Sequence, residues 1–190
     1  PIFFFFLAGT VTGALFQALI SLVKFLADPE EKLPSITYWL MGSLGTASYS
    51  DLMIGGPLIL VGILILVTLR WRLNILSLSE EEARSLGISV TKLKWLVIGG
   101  ATLITAAAVA IAGIIGWVGL IIPHIARMIV GSNNQYVLPA SISIGAMYLL
   151  VIDTLARSLT AAEIPLSILT AIIGAPFFAY LLRKTGGGWG

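Results

Sequence analysis

The charged residues of this chain gather in one stretch, residues 70–94. The stretch holds eight of the twenty charged side chains, since the whole sequence has 11 Lys and Arg and 9 Asp and Glu. Ser79 followed by Glu80, Glu81 and Glu82 is typical of a helix start, because a serine caps free N–H groups and acids favour the positive helix end. Gly87 predicts the end of that helix. The pattern leaves two interpretations open, a solvated connector or a docking element for a soluble partner.

Other residues offer little chemistry. His124 is the single histidine and cysteine is absent, so the residue types needed for a thiolate or multi-histidine metal site are missing. Asp153 and Arg157 are four residues apart and predict an ion pair on one helix face. We expect no catalytic residue, no metal site and no cofactor on this chain. Any energy source must therefore belong to another subunit.

Composition indicates a membrane protein. Hydrophobic residues make up 58% of the sequence and charged residues 11%, and the mean hydropathy is +1.02. A soluble domain has roughly a quarter of its residues charged. The net charge of +2 reflects membrane orientation rather than nucleic-acid binding, so we expect a lipid bilayer and no nucleic acid as the surroundings.

Six apolar stretches are long enough to predict an all-α, polytopic membrane protein with one transmembrane domain over 1–190. A shorter helix is predicted over 34–41, with Tyr38 and Trp39 at headgroup level as a lid or an aromatic anchor. Because the sequence enters an apolar run at once, without an initiating methionine, we expect earlier spans to be missing. The predicted spans are 2–26, 52–69, 93–112, 115–131, 137–156 and 164–182.

Small and polar residues share one face of the first span: Gly9, Thr12, Gly13 and Gln17. Lipid offers Gln17 no hydrogen bond, so this face must meet protein or water. A helix-packing seam and the lining of a transport pathway are both open interpretations.

Basic residues predict the orientation. If successive connections alternate sides, eight of the eleven basic residues share the side of residues 70–92, whereas six acids lie on the other. The positive-inside rule then places residues 70–92 and the C-terminus in the cytoplasm. The eight are Arg70, Arg72, Arg84, Lys92, Lys94, Arg127, Arg183 and Lys184.

Four motifs together resemble the permease subunit of ABC importers for iron-siderophores, haem, cobalamin and related metal chelates, the FecCD/BtuC-type family. They are YWLMGSLGTAS (38–48), LSLSEEEARSLGI (76–88), GIIGWVGLIIPHIARMIVG (113–131) and IDTLARSLTAAEIPLSILTAIIGAPFFAYLLRK (152–184). The resemblance covers nearly the whole chain. It implies six helices of a ten-helix permease fold in the inner membrane.

The resemblance also implies partners and roles. The partners would be a second copy of the permease, a cytoplasmic ABC ATPase dimer that uses ATP, and an extracytoplasmic binding protein. Arg157 would dock the binding protein, Gly9, Thr12, Gly13 and Gln17 would line the pathway, and residues 28–50 would hold a short gating helix. The coupling loop would span 70–92. Its ATPase contacts would be Leu78, Ser79, Glu80, Glu81, Glu82, Ala83, Arg84, Ser85, Leu86 and Gly87.

Two other classes of protein stay open beside this one. A secondary carrier or channel would need ion-coupling or selectivity residues inside the spans, and a membrane-embedded enzyme would need a reactive cluster. The apolar centres of the spans favour neither.

Overall fold

The computed structural model describes residues 2–78 and 80–185, and these fold into helices joined by short connections. The all-α class predicted from the sequence is confirmed. In chain order the elements are α1 (Ile2–Leu26), α2 (Lys32–Leu40), α3 (Tyr49–Leu73), a 3₁₀ turn (Asn74–Ser77), α4 (Glu80–Ser85), α5 (Val90–Ala112), α6 (Val118–Val130), α7 (Asn134–Ser158) and α8 (Leu166–Thr185).

Among the described residues, four helical segments have the length and apolar composition to cross a membrane: Phe6–Leu26, Tyr49–Ser77, Val90–Ala112 and Asn134–Ser158. Two of the six predicted spans are shorter apolar helices, Val118–Val130 and Leu166–Leu181. At a rise of about 1.5 Å per residue, α6 is roughly 20 Å long, which is less than the ~30 Å hydrocarbon core. α6 therefore needs its neighbours to cover its ends.

Helix α3 extends beyond the predicted span. It continues past Leu69 through Arg70 and Arg72 to Leu73, and α5 already begins at Val90. Arginine is a good helix former, and its long side chain reaches water from the last turn of a membrane helix. The connection between α3 and α5 is consequently residues 74–89, shorter than the predicted loop 70–92.

Glycines let α3 and α5 pack closely along their length. A Cβ atom added at Gly62 would lie 2.9 Å from the backbone oxygen of Gly100, and one added at Gly55 would press on Ile111. A Cβ at Gly100 would in turn meet Ile65 at 3.1 Å. Small residues at such crossings allow helix backbones in lipid to approach closely. α3 and α5 therefore form one tightly packed pair.

The corner between α5 and α6 uses two left-handed residues. Gly113 ends α5 with φ +70°, and Trp117 precedes α6 with φ +68°, a conformation that L residues rarely adopt. A Cβ at Gly174 of α8 would lie 2.8 Å from the Trp117 Cβ. The corner is thus packed directly against α8.

The chain divides into two compact units, one ending at Leu40 and the other beginning at Met41. The first contains α1 and α2, with an open apolar groove of about 520 Å³ between them that is lined by Phe16, Ile20, Ile36 and Trp39, among others. The second contains α3 to α8. The prediction of a single domain over 1–190 stays a prediction.

Candidate functional site

Backbone hydrogen bonds gather three connections of the second unit at one end, here named the loop end (residues 41–48, 113–117 and 159–165). The Ser43 N–H donates to the Ala112 carbonyl at 3.0 Å. The N–H groups of Leu166 and Ser167 donate to the carbonyls of Gly42 (2.9 Å) and Met41 (3.1 Å). Those carbonyls satisfy N–H groups in the first turn of α8 that have no partner within the helix.

The opposite end of the second unit, the charged end, carries the connection 74–89. The Asn74 side chain donates from Nδ2 to Asn133 Oδ1 at 2.8 Å and accepts the Asn134 N–H at 2.9 Å. Asn133 also caps α7 by accepting the Gln135 N–H at 3.0 Å. Sequence reasoning missed this contact, although an asparagine before a helix is a cap signal. The 3₁₀ turn is thereby fixed to the start of α7.

Helix α4 contacts α5, and one of its described side chains is buried. Ala83 is fully buried, the Ala83 carbonyl accepts the Ile88 N–H at 3.3 Å, and Gly87 has φ +72°. Only glycine adopts that backbone region without strain, so the helix ends where the sequence predicted. The backbone that joins α4 to α5 is therefore fixed.

The exposed face of the connection combines apolar and polar groups. Leu78 and Leu86 are 44% and 59% exposed, and Glu82 and Ser85 are exposed as well. Ser79, predicted as the helix cap, and the side chains of Glu80, Glu81 and Arg84 lie outside the described part of the chain. Exposed leucines beside acidic residues are typical of a surface that binds another protein.

The predicted pair of Asp153 and Arg157 is present on the last turns of α7. Arg157 Nε lies 3.0 Å from Asp153 Oδ2, and Arg157 Nη2 donates to Asp153 Oδ1 at 3.1 Å. The arginine side chain is 49% exposed and the aspartate 17% exposed. Such a two-bonded pair fixes the orientation of the guanidinium while leaving half of its surface open.

A second carboxylate, which sequence reasoning missed, lies near the same arginine. Glu163 Oε1 accepts a 2.8 Å hydrogen bond from the hydroxyl of Ser43, and the next residue, Ile164, donates its N–H to the carbonyl of Ala156 beside Arg157. Ser43 is 2% exposed, and its Oγ also accepts the Gly45 N–H at 3.0 Å. A side chain at Gly45 would collide with the Glu163 carboxylate. The sequence separation of 120 residues gave no signal for this contact.

Gly9, Thr12, Gly13 and Gln17 are all exposed on α1. A Cβ added at Gly9 or Gly13 would meet nothing within 4 Å. Contacts with the described residues therefore do not explain why these two positions are glycine.

Ionisable side chains form no metal-binding group of three or more within residues 2–78 and 80–185. His124 lies half-buried on α6. The described chemistry is that of ion pairs, helix caps and exposed surfaces at the two helix-bundle ends.

Four apolar helices of spanning length, two shorter apolar helices and connections sorted to opposite ends define a multi-pass helical membrane protein. The chain belongs to the FecCD transport family, whose profile matches residues 2–184. This is a family of transport proteins rather than of enzymes.

Several named permeases are similar to the chain. The molybdate import system permease protein of Haemophilus influenzae is 52% identical over 178 residues, covering 94% of this chain and 53% of that protein. The cobalamin import system permease protein of Halobacterium salinarum is 40% identical, with 93% and 47% covered. The hemin transport system permease protein of Yersinia pestis is 38% identical, with 94% and 53% covered.

A solved structure is similar as well. It is an inward-facing conformation of a transporter assigned to the metal-chelate ABC type, with a TM-score of 0.90 and 52% identity, covering 94% of this chain and 58% of that one. The chain thus spans about half the length of the relatives that it matches.

Proposed function

We propose that the protein is the permease subunit of an ATP-driven importer that passes a metal chelate, of the iron-siderophore, haem or cobalamin class, across the inner membrane. Family membership over residues 2–184 carries the proposal. The relatives named for cobalamin and hemin fit this cargo class, and the relative named for molybdate widens it to metal oxyanions. This chain would bind no cofactor of its own, and ATP would be used by a partner.

The connection at the charged end would receive the force from a cytoplasmic ATPase dimer. Asn74 holds one side of this connection to α7, and the buried Ala83 and the contact of α4 with α5 hold the other. Because glycines pack α3 tightly against α5, a push on α4 would move both helices together. A rigid element of this kind transmits displacement, whereas a solvated loop would absorb it.

The loop end would face outward and receive a soluble binding protein. The exposed part of the Arg157 side chain would bind an acidic group on that protein, since an exposed arginine with a fixed guanidinium favours carboxylate partners. Two copies of the permease would flank the pathway, with Gly9, Thr12, Gly13 and Gln17 on the lining face. The positive-inside distribution of basic residues supports this orientation.

The test is uptake by proteoliposomes that contain the full gene product, its neighbouring ATPase and its binding protein. We expect the proteoliposomes to accumulate one cargo among molybdate, ferric chelates, haem and cobalamin. Accumulation should require ATP on the side of the membrane that carries the ATPase. Uptake that continues without ATP would support a secondary carrier instead. Binding measurements on the loaded binding protein then identify the cargo.

A further inference from the structure

A pocket at the charged end lies between the last turn of α3 and the first turn of α5. Two basic residues, one from each helix, face it together with apolar side chains, and no acid is among the described residues that line it. The pocket has a volume of about 280 Å³ and is lined by Arg72, Gly87, Ile88, Ser89, Lys92, Leu93 and Leu96.

The charges of Arg72 and Lys92 are not neutralised within the described part of the chain. The one salt bridge found there joins Arg157 to Asp153, at the loop end, and neither Arg72 nor Lys92 forms an ion pair. Both side chains are exposed. Because both line the same pocket, an anion bound in it would be attracted by two positive charges.

Two tryptophans place the pocket at the level of lipid headgroups. Trp71 precedes Arg72 and is 64% exposed, and Trp95 follows Lys92 by three residues and is 61% exposed. Tryptophan is enriched where a bilayer meets water. Both α3 and α5 have the length and apolar composition to cross a membrane. The pocket therefore opens where the phosphates of a lipid leaflet lie.

The size and walls of the pocket suit the headgroup of a lipid. Its volume of about 280 Å³ is below the roughly 300–1,000 Å³ of sites that enclose a whole drug-sized ligand, so acyl chains would lie outside it. Leu93 is 3% exposed and Leu96 is 52% exposed, so the apolar wall continues onto the outer surface of α5. An acyl chain can pack on that surface, whereas a free phosphate would gain nothing from it.

We propose that this pocket binds the phosphate of an anionic phospholipid from the leaflet at the charged end. Arg72 and Lys92 would bind the phosphate, and Leu96 would contact an acyl chain. Basic pockets between membrane helices bind anionic headgroups in this way. The lipid would join the end of α3 to the start of α5, on either side of the connection 74–89. The inference goes beyond the proposed function, because it requires only that these helices lie in a bilayer.

The test is native mass spectrometry of the full gene product in detergent, with dioleoyl phosphatidylglycerol or dioleoyl phosphatidylethanolamine added. These lipids have the same acyl chains, but only the first has a net negative charge. We expect the wild-type protein to bind phosphatidylglycerol roughly tenfold more tightly, since each basic residue near a membrane surface attracts anionic lipid.

Paired substitutions distinguish this pocket from the general positive charge of the charged end. Arg72→Gln with Lys92→Gln should lower the affinity for phosphatidylglycerol roughly tenfold, because both phosphate contacts are lost. Arg70→Gln with Lys94→Gln removes the same charge from the same two helices outside the pocket, so the affinity should stay. Arg72→Lys with Lys92→Arg keeps both charges in the pocket and should also keep the affinity.

Three results would refute the proposal. An equal loss of affinity in both glutamine pairs would mean that overall charge attracts the lipid. A rise in the Tm of the wild-type protein with millimolar inorganic phosphate, and none with phosphatidylglycerol, would make the pocket a site for free phosphate. Loss of the lipid preference when the wild-type permease is assembled with its ATPase would assign the pocket to an acidic group of that partner. None of these results bears on ATP-driven uptake, so the proposed function would stand.

Discussion

Asn74 and Asn133, which are 59 residues apart in sequence, hydrogen-bond through their side chains at 2.8 Å. Asn74 follows α3 and Asn133 precedes α7, so this contact and the Asn134 N–H bond join the two helices at the charged end. The connection that we propose as the ATPase contact therefore starts from a fixed point.

Asn74→Ala should weaken force transmission. The substitution removes one donor and one acceptor, and each lost hydrogen bond costs about 1 kcal/mol of stability. We expect a lower ratio of uptake to ATP hydrolysis in proteoliposomes, with membrane insertion preserved. Asn134→Ala is the matched control, because the bond to Asn74 uses the backbone N–H of residue 134. Equal ratios in both variants would show that the contact does not transmit force.

Replacing Glu80, Glu81 and Glu82 together by alanine should uncouple ATP hydrolysis from uptake. Removal of three adjacent acids takes away the charge of the proposed contact, while alanine keeps the helix. We expect ATP hydrolysis to continue and uptake to fall roughly tenfold or more, as for loss of a charged interface contact. Glu30→Ala with Glu31→Ala, in the connection between α1 and α2, is the control. Normal uptake by the triple variant would reject the docking role of α4.

Arg157→Glu should weaken capture of the loaded binding protein. Reversal of an exposed charge turns attraction into repulsion and also repels Asp153, so we expect a loss of affinity of roughly tenfold that shrinks at high salt. Surface plasmon resonance on nanodiscs measures both the affinity and its salt dependence. Lys24→Glu, a charge reversal on α1, serves as the control. An unchanged affinity in Arg157→Glu would remove this residue from the interface.

Gly62→Ala should destabilise the pair of α3 and α5. The added Cβ would lie 2.9 Å from the Gly100 oxygen, a backbone atom that cannot move away alone, and overpacking costs about 1–3 kcal/mol. A thermal melt in detergent should show a lower Tm. Gly99→Ala is the control, because a Cβ there meets nothing within 4 Å, and its Tm should not fall. Equal Tm values for Gly62→Ala and Gly99→Ala would show that the close packing of α3 against α5 at Gly62 does not contribute to stability.

Local sequence was sufficient to predict most of the elements. Runs of apolar residues fix where helices form in lipid, because every backbone N–H and C=O must then be paired within the helix. Gly87 predicted the end of α4 for a different local reason, since glycine adopts its positive φ without strain. The spacing of Asp153 and Arg157 predicted their ion pair, because residues four apart share a helix face.

Tertiary structure alone decided which ends and side chains meet. Asn74 reaches Asn133, and Ser43 reaches Glu163, only because α3, α7 and α8 pack with their connections together. Which distant residue a side chain contacts depends on how the helices pack. The apolar pattern of a span does not indicate which other helices lie beside it. For that reason the sequence predicted the ion pair of Arg157 with Asp153 but not the hydrogen bond between Ser43 and Glu163.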